Sequence, residues 1–325
     1  MPTSPSAPFP RTDPDDAATR AGALVENVER VVRGRRAAVE LVVCAVLAGG
    51  HALIEDVPGS GKTTLARAVA RSIGGRFQRI QATADLLPAD ITGSAVWDPQ
   101  RQVFDFAPGP LFAHVVLADE LNRTTPRTQS AFLEAMEEGA VTVDGQRHPL
   151  PDPFVLIATQ NPVEQHGTYP LPEGQLDRFA VRVHLGALDP AAERLVVREQ
   201  LAGPTVADLG AVLGTGELRA LRAHVRGVHV ADAVLDHAVT LVRSTRHDGR
   251  IALGASSRAA ITLVRCAQAR AVLDGRTFVT PDDVRALTVP VLAHRLVLAY
   301  GLATGHRPED VVAELVARVP VPVTG

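Results

Sequence analysis

Lysine is almost absent from this chain: of its 33 lysine and arginine side chains, only Lys62 is a lysine. A composition that uses arginine for every other strong cation has kept one ammonium, which marks position 62 as chemically particular. Cysteine is nearly as scarce. Cys44 and Cys266 each lie within an apolar helical pattern, which argues against a disulfide framework or a metal site and for reduced core residues at a cytoplasmic address. Long apolar runs are missing too: the most apolar window, Ala37 to Ala48, carries Glu40 and is too short to span a bilayer. The N-terminal stretch, Met1 to Asp16, is rich in proline, serine and aspartate. It lacks the basic start and apolar core of a secretory signal and reads as a flexible tail. Nor is there an excess of positive charge. A net charge of -3 and a pI near 6.4 give no overall drive toward nucleic acid or anionic membrane, although a local arginine stripe is compatible with that total. There is no repeat of fixed period.

What is present starts at the lone lysine, in Val57-Pro58-Gly59-Ser60-Gly61-Lys62-Thr63-Thr64. Consecutive backbone N–H groups in such a loop cradle phosphates, while a compact charge on a flexible stem bridges the β and γ oxygens. The apolar run Ala52-Leu53-Ile54 precedes the loop. After it Leu65, Ala66, Val69, Ala70 and Ile73 recur at helical spacing, so the motif has its strand, loop and helix context. The helix N-terminus adds a dipole that favours anions. ATP or GTP binding is the first expectation. One departure is that Asp56 stands where the G-x-x-x-x-G-K-S/T pattern has its first glycine.

With 325 residues, 46% hydrophobic and 21% charged, the chain has the composition of a soluble globular protein with one large or two ordinary cores. Five short apolar runs alternate with helical patterns: 52 to 55, 77 to 81, 115 to 118, 154 to 158 and 181 to 185. That alternation predicts an α/β fold with a parallel sheet buried on both faces. Ala84 to Phe112 is too long for a plain connection and suggests an inserted turn or hairpin; Val141 to Val143 followed by Asp144-Gly145 reads as a strand and tight hairpin turn, and both insertions could project from the same face. Thr125-Pro126 starts a helix that Gly139 ends. Beyond Ala202-Gly203-Pro204 the segments read as helical throughout, on Leu218, Leu221 and Val225, then Leu235, Val239 and Val242, then Ile261, Val264 and Ala271 after Ser257, with Thr280-Pro281 opening a fourth helix. The expected division is a tail over 1–18, an αβα core over 19–203 and an all-helical domain over 204–325.

Val115 to Glu120 is a buried strand ending in two acids: Asp119 suits a ligand of Mg²⁺, with the Thr63 hydroxyl on the same ion, and Glu120 suits polarisation of the attacking water. Phe154 to Asn161 puts an amide at the end of the next strand, where Asn161 can orient that water or merely turn the chain before Pro162. Phosphoryl transfer also calls for an arginine against the transition state, and abundance alone singles out none.

Read together, Glu55 to Thr64, Ala118 to Ser130, Ala158 to Pro162, Leu176-Asp177-Arg178-Phe179 and Gly254 to Arg258 resemble, in order, the motifs of the MoxR family of AAA+ ATPases in the helix-2-insert branch. The resemblance runs from about Glu26 to Val319. It implies an AAA+ core with strand order 5-1-4-3-2, a helical lid, ATP with Mg²⁺, and ring assembly, usually as a hexamer. On it Asn161 matches the first sensor, Arg178 the arginine finger and Arg258 the second sensor, while Val32 and Gly34 fall where relatives contact adenine. Ala84 to Phe112 matches the branch-defining insertion, which displaces the lid and leaves open whether Arg258 serves its own or a neighbour's nucleotide. Against this, Arg178 could pair with Asp177 or Glu173, and Arg258 could be a solvated first-turn residue. Arg123 stands between a subunit-boundary and a plain loop role.

The favoured function is a chaperone-like remodelling ATPase that, by resemblance, works with a protein carrying a von Willebrand factor A domain on a client that nothing in the residues names. A motor on nucleic acid is the second class. It would need basic hairpin tips; Arg101 and Arg147 are candidates, but acids lie near and no aromatic interleaving supports base stacking. A nucleotide-gated scaffold is the third, and Glu120 and Asn161 argue against it.

Overall fold

The computed structural model describes residues 13–162, 167–188, 190–299 and 307–322, so residues 1–12 of the tail expected over 1–18 lie outside the described residues. Helix α1 (Pro14–Glu29) starts inside the stretch read as tail. Asp13 caps it by accepting from the Asp15 amide, Pro14 fills its first turn, and Ala17, Ala21, Leu24, Val25 and Val28 are buried. Helix α2 (Arg36–Leu47) leads to β1 (Ala52–Glu55), the phosphate-type loop and α3 (Lys62–Ser72). Then come β2 (Phe77–Gln81), the short α4 (Pro88–Thr92), and the hairpin β3 (Gly93–Asp98) and β4 (Val103–Pro108). Strand β5 (Val115–Asp119) follows, with α5 (Pro126–Glu138), a second hairpin of β6 (Ala140–Val143) and β7 (Gln146–Pro149), and β8 (Val155–Gln160). One-turn α6 (Glu173–Leu176), β9 (Val181–Val183) and α7 (Pro190–Ala202) close the α/β part.

The five central strands form one parallel sheet in the order β2-β5-β8-β1-β9. Numbering those five strands by themselves along the chain gives 5-1-4-3-2, the AAA+ order. The inner strands β1, β5 and β8 are nearly unbroken in apolar residues because helices cover both faces, whereas the edge strand β2 buries only Ile80; the two sides of the sheet belong to two different cores. One core holds Leu53, Val116, Leu156 and Phe132 beneath α5 and the insertions. The other runs from Ile54, Leu117 and Ile157 through α1 to α3 into the helical C-terminal part, so sheet and lid share a continuous interior. The two hairpins adjoin: the Phe106 ring of β4 stacks on His148 of β7 at 3.8 Å between centroids.

The lid comprises α8 (Thr215–Arg226), α9 (Asp232–His247), β10 (Ile251–Leu253), α10 (Ser257–Leu273), α11 (Pro281–Leu292), β11 (Val297–Leu298) and α12 (Pro308–Arg318). It is not purely helical, since β10 and β11 pair antiparallel. The helices were correctly spaced in sequence but partly wrongly faced: α9 buries Val234, Ala238, Leu241 and Val242, whereas Leu235 and Val239 are exposed, as is Ile261 of α10. Ser256, not Ser257, is the residue ahead of α10.

Candidate functional site

Gly59 and Gly61 hold φ of +78° and +95°, left-handed values that other residues rarely adopt, and they bend the loop back so that α3 starts at Lys62. The residues Leu65, Ala66, Val69, Ala70 and Ile73 are all buried and seat that helix on the sheet. Lys62 is itself buried, its Nζ donating to the carbonyls of Asp56 (2.5 Å) and Val57 (2.8 Å). Burial pulls its pKa below the ordinary lysine value, against the carboxylates of Asp56, Asp119 and Glu120. The loop rims a cavity of about 530 Å³ whose other walls include Val31, Val32, Leu188, Val196 and Val197. Gly34 does not line it. It turns at φ +69° beside α7, where an added Cβ would come to 3.0 Å from Ala192.

Asp56 is a clamp. One carboxylate oxygen accepts from the Val57 amide (2.7 Å), the other from the amides of Leu185 (2.9 Å) and Gly186 (2.8 Å). Burial pushes this carboxyl up, yet the three amides win and hold it below the usual range. The side chain thus ties the loop to the exit of β9, a role a glycine cannot fill.

At the end of β5, Asp119 is buried and its two oxygens lie 3.3 and 3.2 Å from the Thr63 hydroxyl. Thr159 of β8 donates to it at 2.6 Å, and Arg79 of β2 pairs with it at 2.6 Å. Glu120 follows in the left-handed region (φ 59°), its amide held by Thr159 Oγ1 at 2.9 Å. Its carboxylate accepts from Gln81 Nε2 at 3.1 Å and forms an ion pair with Arg123, whose Nε lies 3.1 Å away. Arg79, Gln81 and Thr159 were not picked out in the sequence. Their signal is the register, which sets Gln81 opposite Asp119 once β2 is known to border β5. Asn161 is buried just beyond β8, where its carbonyl accepts from Asn122 at 3.3 Å.

Arg178 and Arg258 are not brought to this loop. They meet at a second cavity, of about 320 Å³, also lined by Gly49, Gly50 and His51. Those three residues precede β1 whereas the loop follows it, so the two cavities flank opposite ends of a strand roughly 13 Å long. Arg178 does not take the acids open to it in sequence, while Arg258 is half exposed in the first turn of α10 but has a partner there. Arg178 pairs with Glu137 at 2.7 Å, Arg258 pairs with the same carboxylate at 2.6 Å, and Asp177 is occupied by Arg295.

This arrangement of loop, acid-ended strand and lid agrees with the comparisons. A family profile described as "ATPase family associated with various cellular activities (AAA)" matches residues 51–181, and an AAA lid domain matches residues 243–315. YeaC of Bacillus subtilis is 45% identical over 303 residues, covering 93% of this chain and 95% of that protein. Chaperone MoxR1 of Mycobacterium tuberculosis is 39% identical over 306 residues, 91% of this chain and 81% of its own length. The chain belongs to the MoxR family of AAA+ ATPases. Protein MoxR of Paracoccus denitrificans is 31% identical over 90% of this chain and 93% of its own. A crystal structure of a candidate ATPase from Cytophaga hutchinsonii superposes with a TM-score of 0.86 at 33% identity, covering 95% of this chain and 97% of that one.

For a MoxR-type ATPase the residues present fit a nucleotide. Among the described residues nothing fills the space beside Gly59 and Gly61, and Ser60 Oγ is buried without a hydrogen-bond partner. Magnesium in such sites takes only one or two protein ligands, its remaining positions going to phosphate and water, and the adjacent Thr63 hydroxyl and Asp119 carboxylate are oxygen donors of that kind.

Proposed function

We propose that this protein hydrolyses ATP as a ring of identical copies, a hexamer by family resemblance, in which each nucleotide is bound by one copy and completed by its neighbour. The observation that carries this reading is the separation of the two cavities by β1: Arg178 and Arg258 stand at the end of the strand away from their own loop. Cations so placed serve a nucleotide only if another copy brings it.

In this reading Lys62 and the backbone from Val57 to Thr64 hold the triphosphate, and the apolar wall at Val32, shaped by Gly34, takes adenine. Thr63 and Asp119 hold Mg²⁺, which when bound offsets the charge on the β and γ phosphates. Glu120, released for that task from Gln81 and Arg123, accepts a proton from the attacking water as its oxygen bonds the γ-phosphorus and the bond to the ADP oxygen breaks, and Asn161 aligns the water. Arg178 and Arg258 of the next copy meet the charge that develops on the transferred group.

The output we infer is remodelling of a protein client in the cytoplasm with a von Willebrand factor A domain partner, in keeping with a relative named as a chaperone. The nucleic-acid reading is weakened at the hairpins. Arg101 is neutralised by Asp98 and Asp105, and Arg147 lies against the Glu138 carbonyl (2.9 Å) and carboxylate. Contrary to the sequence reading, aromatic side chains do meet there: Trp97 and Phe104 face each other, exposed, at 5.1 Å. With the nearby charge balanced, that pair suits an apolar peptide better than a phosphate backbone.

The test mixes Arg178→Ala subunits with Glu120→Gln subunits, each inactive alone. Recovery of part of the turnover is expected, since a mixed interface joins an intact Glu120 to an intact finger. No recovery in rings shown to be mixed refutes action between copies.

A further inference from the structure

Glu137 belongs to none of the motifs, yet it joins two of them. Its Oε1 accepts from Arg258 Nη2 at 2.6 Å, and its Oε2 accepts from Arg178 Nε at 2.9 Å and sits 2.7 Å from Arg178 Nη2. Its three participants come from separate parts of the chain. Glu137 is near the end of α5, Arg178 follows α6, and Arg258 is in the first turn of α10 in the lid.

We propose that Glu137 is a positioning residue that yokes Arg178 and Arg258 into one cationic clamp for the terminal phosphate of a nucleotide held by a neighbouring copy. This rests on the ring reading above and deepens it. Two guanidinium groups aimed at the same place repel each other, and the carboxylate between them offsets that repulsion while fixing both planes. It leaves donors to spare, since a guanidinium has five N–H groups and Arg258 commits a single nitrogen to Glu137. Glu137 is held below the ordinary glutamate range by its bonds to Arg258 and then Arg178, so it stays charged at neutral pH.

The frame around the yoke is fixed. His51 reaches the Met136 carbonyl through Nε2 (3.2 Å), and its backbone carbonyl accepts from the Ala180 amide (2.8 Å), so the chain beside Glu137 and the chain two residues beyond Arg178 are both held by one buried residue. The yoke itself is open to solvent: the side chains of Arg178, Glu137 and Arg258 are 28%, 33% and 51% exposed, which lets a partner's phosphate reach them. It is not what holds the lid in place. Next to it Arg295, 2% exposed, ties the lid to Asp177 at 2.8 Å and to the Phe179 carbonyl. Arg265, two turns along α10 from Arg258, lines the same cavity and adds to its positive character.

The experiment is a mutational cycle on the intact chain. Glu137→Gln, of the same shape but able to accept from only one arginine, is expected to lower kcat about tenfold while ADP affinity and melting temperature stay near the parent's. Glu137→Asp, which keeps the charge, should fall between the two. With Glu137 present, Arg178→Ala and Arg258→Ala should be non-additive in single-turnover rate; in the Glu137→Gln background they should become additive, which a merely structural role would not produce. A Glu137→Gln rate equal to or above the parent's, or unchanged non-additivity, overturns the proposal. If both arginine variants fail alone and recover in mixtures while Glu137→Gln is fully active, only the role of Glu137 falls. If the arginine variants turn over normally, the ring reading falls and takes this proposal with it.

Discussion

His51 makes stability depend on pH in a window where no carboxylate competes. The Leu156 amide points at its Nδ1 (3.0 Å) and the Met136 carbonyl at its Nε2, so the buried ring must accept at one nitrogen and donate at the other. That pattern fits the neutral imidazole alone. Burial depresses the pKa to about 4, with Arg222 pushing the same way and the Met136 carbonyl opposing. In the unfolded chain the ring titrates near 6.5, so the unfolded state binds more protons below that pH. The stabilisation is therefore complete above about 6.5 and lost as pH falls toward 4. A gap of about 2.5 pKa units corresponds to roughly 3 kcal/mol in all, of which about 2 is gone by about pH 5.

Burial displaces His294 and His237 in the same direction, so they steepen the loss. Carboxylates held below their ordinary range, such as Asp56 and Glu137, keep their contribution until the pH falls below about 4 and leave this window clear. The assay is urea unfolding of the parent and of His51→Gln between about pH 7.5 and 5. The parent should lose at least about 2 kcal/mol across that range, and the variant, weaker at neutral pH, should lose about 2 less. Equal slopes for the two proteins, or an NMR titration of the folded His51 ring near 6.5, refutes the reasoning.

Two further outcomes are expected. Lys62 is the sole lysine, so its Nζ is the only side-chain amine to acylate; ATP with Mg²⁺ should protect it, and equal labelling of that residue with and without nucleotide removes the loop assignment. Gly50→Ala would bring a Cβ to 2.5 Å from that of Ala180 at the mouth of the arginine cavity, and should cost about 1–3 kcal/mol by overpacking, read as a drop of several degrees in melting temperature. An unchanged melting temperature would mean that the β1–β9 edge yields easily.

The parts of the site that lie on one stretch of chain were legible in the sequence. The loop, the Asp119-Glu120 strand end and the boundaries of β1 and β2 depend on local pattern and turn chemistry. Arg79, Gln81 and Glu137 were not legible, because each matters only through a neighbour distant in sequence: Gln81 by strand register, Glu137 by the fold of α5 against the lid. Helix α1 is a different kind of miss. Asp13, Pro14 and the acidic pair Asp15 and Asp16 are helix-start signals, and the proline and aspartate that make them up were counted as signs of a tail. The exposed faces of α9 and α10 carry Leu235, Val239 and Ile261, so spacing alone could not choose the buried side.

The lone lysine and the many arginines are two answers to one physical question, whether a cation should stay or move. Arg276 forks onto both oxygens of Asp283 at 2.7 Å, Arg250 forks onto both of Asp248 at 2.9 and 2.8 Å, and Arg295 spans Asp177 and four backbone carbonyls. A planar guanidinium held at several points is slow to leave, which suits the lid and its seam. Lys62 is held differently, by two carbonyls of its own loop, acceptors that a flexible ammonium can exchange for phosphate oxygens without moving the backbone. An arginine at position 62 would keep the charge and lose that exchange, because its fork cannot reorient about a point inside so tight a turn. The composition bias at residue 62 thus separates the fixed cations of the fold from the one that, in the proposed reading, trades loop carbonyls for phosphate.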